Sequence, residues 1–464
     1  MIFAYEEGSR GRGARACQRV RSARHAPGGS RGSSPLLNIR RYQQVLSDRR
    51  ARAFSLAGFV ARMPLSMTGI GIVLLVSLTT GSFGQAGLLT AVVTLTAAVV
   101  APVWGRATDR VGQASVLLLA ALINNLSLAV LIVAIELAWP MAVSIAAAAG
   151  VGAGFTLAGS AVRARWTLRL NGSPLLNTAF ALEAMLDEVV FIIGPILATF
   201  LATALHPALG VTTSAVIGLI GAVALAAQRS SQPPVRSAAR GHVALSRLPW
   251  LVLVPVAIAS AAMGMVFGSM EVVVVAFAKE AGVLPYAGVI LMAWAFGSLV
   301  AGAVTGAIAW YASPARRFRV GATLLALSLL PMPFVSEPVV LALLLILSGM
   351  AIAPTLIASV AVTQASVDQA RLTEALAWIS TGMAAGVAAG AAAAGQLIDH
   401  AGAQAGFVGV VIAGLLLTLS ALLVRGRRTS GDPDLTPATA AELSSDPTDT
   451  PTAESSRPPV GTWR

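Results

Sequence analysis

Among 464 residues there is one cysteine, Cys17, one lysine, Lys279, and four histidines. A lone cysteine excludes a disulfide framework and a cysteine metal cluster. His25, His206, His242 and His400 fall in tails or predicted loops, which argues against a buried histidine metal site or a histidine-based triad, so neither metal nor cofactor is expected. No Gly-Lys-Ser/Thr phosphate loop occurs, which leaves ATP without its usual cradle. Charged residues are only 11% of the chain, less than half of what an ordinary soluble domain carries.

What fills the sequence instead is apolar. Hydrophobic residues make up 56%, mean hydropathy is +0.78, and these residues arrive in long blocks. A hydrocarbon core about 30 Å thick needs roughly 20 apolar residues in helical form, so each block is a candidate span. The blocks lack the period-two alternation of barrel strands, and helices satisfy their own backbone groups in lipid. The expectation is an all-α polytopic membrane protein with twelve spans, near 53–78, 84–104, 115–136, 139–162, 176–204, 210–228, 249–277, 284–311, 319–336, 338–363, 372–396 and 403–424.

The formal charge of +12 would suggest a nucleic-acid partner in a soluble chain, but here the bases sort by loop. Arg106 and Arg110, then Arg163, Arg165 and Arg169, then Arg229, Arg236, Arg240 and Arg247, then Arg316, Arg317 and Arg319, then Arg371, and finally Arg425, Arg427 and Arg428 fall in alternate loops and at the end. The intervening loops hold Lys279. Bases concentrate on the cytoplasmic side of membrane proteins, which places both termini in the cytoplasm and the chain in the cell membrane, with no nucleic acid as partner. Residues 1–52, rich in Arg, Gly and Ser, read as a disordered basic tail. Residues 229–248, with a proline pair, read as a cytoplasmic linker between six-helix bundles at 53–228 and 249–424. Residues 425–464 are Pro, Ser, Thr and acid, the composition of a disordered tail.

A repeat supports that division. Sliding the second half on the first pairs Gly69 with Gly268, Leu176 with Leu372 and Gly194 with Gly390 at nearly one offset. Duplicated halves are how many secondary transporters frame a midplane site.

After the second span comes "GRATDRVGQA", residues 105–114. It resembles the Gly-x-x-x-Asp-Arg-x-Gly loop signature of the major facilitator superfamily, carried by Gly105, Asp109, Arg110 and Gly112; Gln113 and Ala114 replace the usual bases. With the twelve spans, central linker and repeat, the resemblance covers roughly 53–424 and implies two pseudo-symmetric six-helix bundles. It also implies a conformational latch in which Asp109 accepts from free amides at the start of span eleven, near Leu372 and Thr373, where the helix dipole favours an anion. The loop at 306–321 has Trp310 where the repeat would put the acid, so one such latch is expected. "GVGAG", residues 150–154, is similar to the glycine part of the family's proton-antiporter signature, with Ala146 where an arginine is usual. Gly194 and Pro195 are similar to its helix-bending pair, with Val190 and Ala198 in place of glycines. Proline removes a backbone hydrogen bond and permits a bend.

Five charges lie at membrane depth: Arg62, Glu183, Asp187, Glu188 and Glu271. Each costs about 2.5–3.5 kcal/mol at the bilayer centre, so it faces a cavity or a partner. At 1.5 Å per residue Arg62 and Glu183 are level, and Asp187 is one turn deeper on the same stripe. Glu188 points about 100° away, so the three acids cannot all share Arg62. The acids handle protons or a cationic solute, or Arg62 and Glu183 tie spans one and five together. Glu271, with the apolar Ile72 as its repeat counterpart, either serves a function of one half or reaches water beside Lys279 and Glu280. Small residues crowd 382–395, which suits close helix packing.

The reading is a secondary active transporter of small molecules working by alternating access, a monomer, with protons and an amphiphilic or drug-like solute as its partners in efflux. Proton-coupled uptake or facilitated diffusion of a polar metabolite is the alternative, for which Asn124 and Asn125 are the main polar candidates. An enzyme acting on lipid would use the same carboxylates but lacks a buried His or Cys. A transport-inactive sensor would need a folded module in a tail.

Overall fold

The computed structural model describes residues 39–173, 175–235, 249–308, 312–368 and 371–424. Among them there is no strand. The chain runs α1 (Ile39–Ser47), α2 (Arg49–Arg62), α3 (Pro64–Thr79), α4 (Phe83–Val111), α5 (Gln113–Glu136), α6 (Met141–Ala153), α7 (Ala158–Arg169), α8 (Leu175–Ala204), α9 (Leu209–Ala227), α10 (Trp250–Glu280), α11 (Ala287–Ala307), α12 (Pro314–Leu329), α13 (Pro338–Ser366) and α14 (Leu372–Leu423). Ten stretches among the described residues are long and apolar enough to cross a membrane. One of these, α14, leaves helical geometry at Ala401 and at Gly402 (φ +78°, ψ −178°) and is two spans in one run. α12 is shorter, at 16 residues, and completes the set of twelve.

Breaks fall where side chains cannot continue a helix. Pro64 has no amide to donate, so span one is divided into α2 and α3 at Met63. Gly112, at φ +88°, turns the chain between α4 and α5, a conformation open to glycine at little cost. Span four is divided between Ala153 and Ala158. There the Trp104 indole donates to Ala153 O at 2.7 Å and Asn124 Nδ2 to Val151 O at 2.9 Å, supplying the donors that the interrupted helix lacks.

Glycines set the helix spacing. A methyl on Gly382, Gly386 or Gly390 would lie 2.7, 1.8 or 2.3 Å from the carbonyl oxygen of Ala257, Ala261 or Met265, and one on Gly264 or Gly268 would strike Met383 O or Val387 O. Every fourth residue of α14 therefore meets α10 backbone to backbone. The repeat shows in the same crossing: Gly194 of α8 abuts Ser66 of α3 as Gly390 of α14 abuts Met265 of α10.

Two expectations about the ends change. Residues 39–52 have the composition of the tail, yet helix begins at Ile39, because Val45 is buried beside Phe54, Trp166 and Ala179 and gives an otherwise polar segment an apolar anchor. Arg163, Arg165 and Arg169, expected in a loop, are carried in helix by α7 to Arg169, since the break at 154–157 restarts the helix later than a continuous span allows. Trp310, residues 236–248 of the linker and the tail 425–464 lie outside the described residues.

Candidate functional site

Three helices meet around Arg62. A methyl on Gly58 would fall 2.2 Å from Val162 Cγ2, so α7 closes onto α2 at that glycine, and Gly159 lies beside Arg62 Cδ. The guanidinium is sealed, with its side chain 1% exposed. It donates from Nε to Gly58 O at 3.0 Å, from Nη2 to Glu183 Oε2 at 2.5 Å and from Nη1 to Asp187 Oδ1 at 2.7 Å.

The acids differ in their surroundings. Glu183 is 0% exposed, and its other oxygen, Oε1, accepts from Ser55 Oγ at 2.6 Å and Trp166 Nε1 at 2.8 Å. The indole is itself held edge-on by Phe54, with ring centroids 4.8 Å apart. Such a carboxylate is fixed and fully satisfied, which is what makes a buried charge tolerable. Asp187 is 28% exposed and bridges two cations, its Oδ2 accepting from Arg163 Nη2 at 2.9 Å. Glu188 is half-buried and, among the described residues, accepts from no donor. Two arginines therefore face three acids, and Glu188 is the acid left over.

Glu271 stands apart, at the crossing of α10 and α3. A methyl on Gly69 would come within 2.6 Å of its Oε1, and the Ile70 backbone lies beside it. It does not join Lys279 and Glu280, which bond to Ser77 O and Ala403 N. One turn back on α10, Phe267 rests on Trp294 of α11 at 5.1 Å, and the buried Trp294 Nε1 has no partner among the described residues.

The 105–114 loop is arranged differently from its resemblance. Asp109 and Arg110 are exposed, and among the described residues Asp109 meets no donor. Among the described residues no side chain caps the start of α14. A methyl on Gly105 would meet nothing within 4 Å. Gln113, where a base is usual, is buried: it donates from Nε2 to Ala161 O at 3.2 Å and accepts from Arg165 Nε at 2.9 Å. Arg165 also donates to Leu225 O, Gln228 O and Ser231 Oγ. It thus closes the C-terminal end of α9, where a helix presents free carbonyls.

Other expected positions have packing partners. Asn124 bonds to Val151 O, as above, and Asn125 Nδ2 to Ala121 O of its own helix, so each commits one N–H to helix backbone. Within residues 150–154, methyls on Gly150, Gly152 and Gly154 would strike Ser127, Val93 and Asn124, each at 2.2 Å. α8 continues through Gly194 and Pro195 to Ala204; a methyl on Gly194 would lie 1.9 Å from Ser66 Oγ, whose hydroxyl donates to Val190 O at 2.7 Å.

A protein-family model described as Major Facilitator Superfamily matches residues 54–339 and 287–463. Among solved structures, the nucleoside transporter NupG superposes with a TM-score of 0.64 at 12% identity, over 80% of this chain and 99% of that one. A human organic anion transporter, TETRAN, gives 0.54 at 16%, over 84% and 100%. An auto-inhibited POT family peptide transporter gives 0.56 at 11%, over 82% and 98%. No curated protein matches the sequence.

Proposed function

The chain belongs to the major facilitator superfamily, and from that premise we propose that it is a proton-coupled secondary transporter which exports an amphiphilic solute by alternating access. The arginine-rich face is then cytoplasmic. The observation that carries the proton assignment is the division of labour among the acids: Glu183 is sealed and matched, whereas Glu188 stands beside it half-buried and unmatched. A carboxyl in that position gains from binding a proton when enclosed and from releasing it when wetted. Asp187, bridging the sealed Arg62 to the exposed Arg163, is the intermediate member. When Glu188 ionises, Arg163 can turn toward it, and when Glu188 is neutral Asp187 keeps both arginines.

The surroundings suit a solute with apolar bulk. Phe267 and Trp294 pair their rings between α10 and α11, one turn from Glu271 at the α3–α10 crossing, while the buried Asn124 and half-buried Asn125 each give an N–H to helix backbone. This favours uncharged or cationic amphiphiles over sugars, which need several free amides and hydroxyl partners. Membership of the family, with no phosphate loop for ATP, favours transport over catalysis or signalling.

The test is flux in proteoliposomes across a compound panel under an imposed pH gradient. Solute movement that follows the gradient and disappears when it is collapsed supports the reading. Flux indifferent to the gradient removes the proton from the mechanism.

A further inference from the structure

At the membrane face opposite the arginine-rich one, four side-chain hydrogen bonds join the halves. Asp399, near the end of the first span in α14, accepts from Ser82 Oγ at 2.7 Å, Phe83 N at 2.7 Å and Gly84 N at 2.8 Å. These donors form the N-terminal turn of α4, whose own cap is Ser82. Lys279, at the end of α10, donates to Ser77 O at 3.0 Å in the last turn of α3 and lies 5.4 Å from the Phe83 ring centroid. An anion thus meets the positive end of one helix of the first half, and a cation the negative end of another. Behind the carboxylate the two helices touch backbone to backbone: methyls on Gly87 and Gly395 would lie 2.1 and 2.2 Å from Ala391 O and Phe83 O.

The same two helices carry the signature acid at their other ends. Asp109 ends α4 on the arginine-rich face and is exposed, and among the described residues no side chain caps the start of α14. Asp399 thus makes, at the start of α4, the kind of contact that the signature resemblance implies for Asp109 at the start of α14. We infer that Asp399 and Lys279 are the positioning residues of a second latch, which holds the opposite face shut in this state and must release before Asp109 can engage. This rests on the transporter reading and adds the residues that set its resting equilibrium. It also explains why Gly84 is bare: a methyl there would press on Asp399 Oδ2 at 2.8 Å and Gln396 Nε2 at 2.7 Å.

The experiment measures two distances between spin labels in the full chain, in lipid nanodiscs, with Cys17→Ser as background. Labels at Leu137→Cys and Phe334→Cys report the opposite face; labels at Leu168→Cys and Arg316→Cys report the arginine-rich face. In Asp399→Ala the population with a long opposite-face distance should rise about tenfold, with the other distance shortening. Lys279→Ala should move both the same way by less, and Lys279→Arg should restore them. Glu280→Ala is the control: it removes a carboxylate that caps Ala403 N at 2.8 Å within the second half, so it should lower stability and leave both distances alone. Unchanged distances in folded Asp399→Ala overturn the latch. Should that variant not fold, Asp399→Asn and Ser82→Ala are read instead, and no shift in either overturns it equally. The distances need no solute, so an opposite face that opens in a chain that moves no compound leaves the latch standing and rejects the transporter reading.

Discussion

Replacing Arg62 with methionine tests the fixed part of the charge cluster. The substitution removes donors to Glu183, Asp187 and Gly58 O while filling similar volume. Asp187 keeps Arg163 and some water, but Glu183, at 0% exposure, keeps only Ser55 and Trp166. An uncompensated charge at such a site costs about 3–5 kcal/mol. Glu183→Gln alone leaves Arg62 with Asp187 as its counter-charge, so the expected cost is smaller, about 1–2 kcal/mol. In the double variant the stranded charge leaves with its partner, and the loss should fall short of the sum by about 2 kcal/mol. Equilibrium unfolding in mixed micelles of the wild type, both single variants and the double variant closes the cycle. Additive losses would refute the assignment of Glu183 as a sealed anchor for Arg62.

Further outcomes follow from the same geometry. Gly105→Leu meets open space here, so it should keep the unfolding midpoint of the wild type yet slow turnover severalfold, by obstructing the closed form of the arginine-rich face; a lost midpoint with normal turnover contradicts this. Gly386→Leu must displace the Ala261 carbonyl, which a methyl would already approach to 1.8 Å, and should destabilise by more than about 3 kcal/mol, read by thermal unfolding. Gln113→Arg, though it restores the usual signature residue, brings a second cation against buried Arg165 and should cost about 2–4 kcal/mol by the same assay.

The spans, their order and the ion pair of Arg62 with Glu183 were legible in the sequence. Length and apolar blocks report spans directly, and a constant rise per residue puts two charges at one depth, but pairing them also needs spans one and five to be neighbours, which the family resemblance implied. The third helix of the cluster was hidden. Arg163 and Trp166 reach the acids from α7, and no residue in 154–157 is a proline that would announce the break before it. Nor could Gln113 be read as a partner of Arg165, since that requires knowing that α5 and α7 meet. Asp399, two residues from a turn and followed by His400, has the look of a solvated acid. Only the fold brings Ser82 and two free amides to it.

Coupling to protons through Glu188 is the centre of the account, and Glu188→Gln separates coupling from the rest of the cycle. In proteoliposomes loaded with unlabelled solute, this variant should still exchange labelled solute across the membrane at about the wild-type rate, because exchange returns through loaded states alone. Its accumulation driven by a pH gradient should vanish. Gradient-driven accumulation at the wild-type level in Glu188→Gln would contradict the account, whatever the rate of exchange.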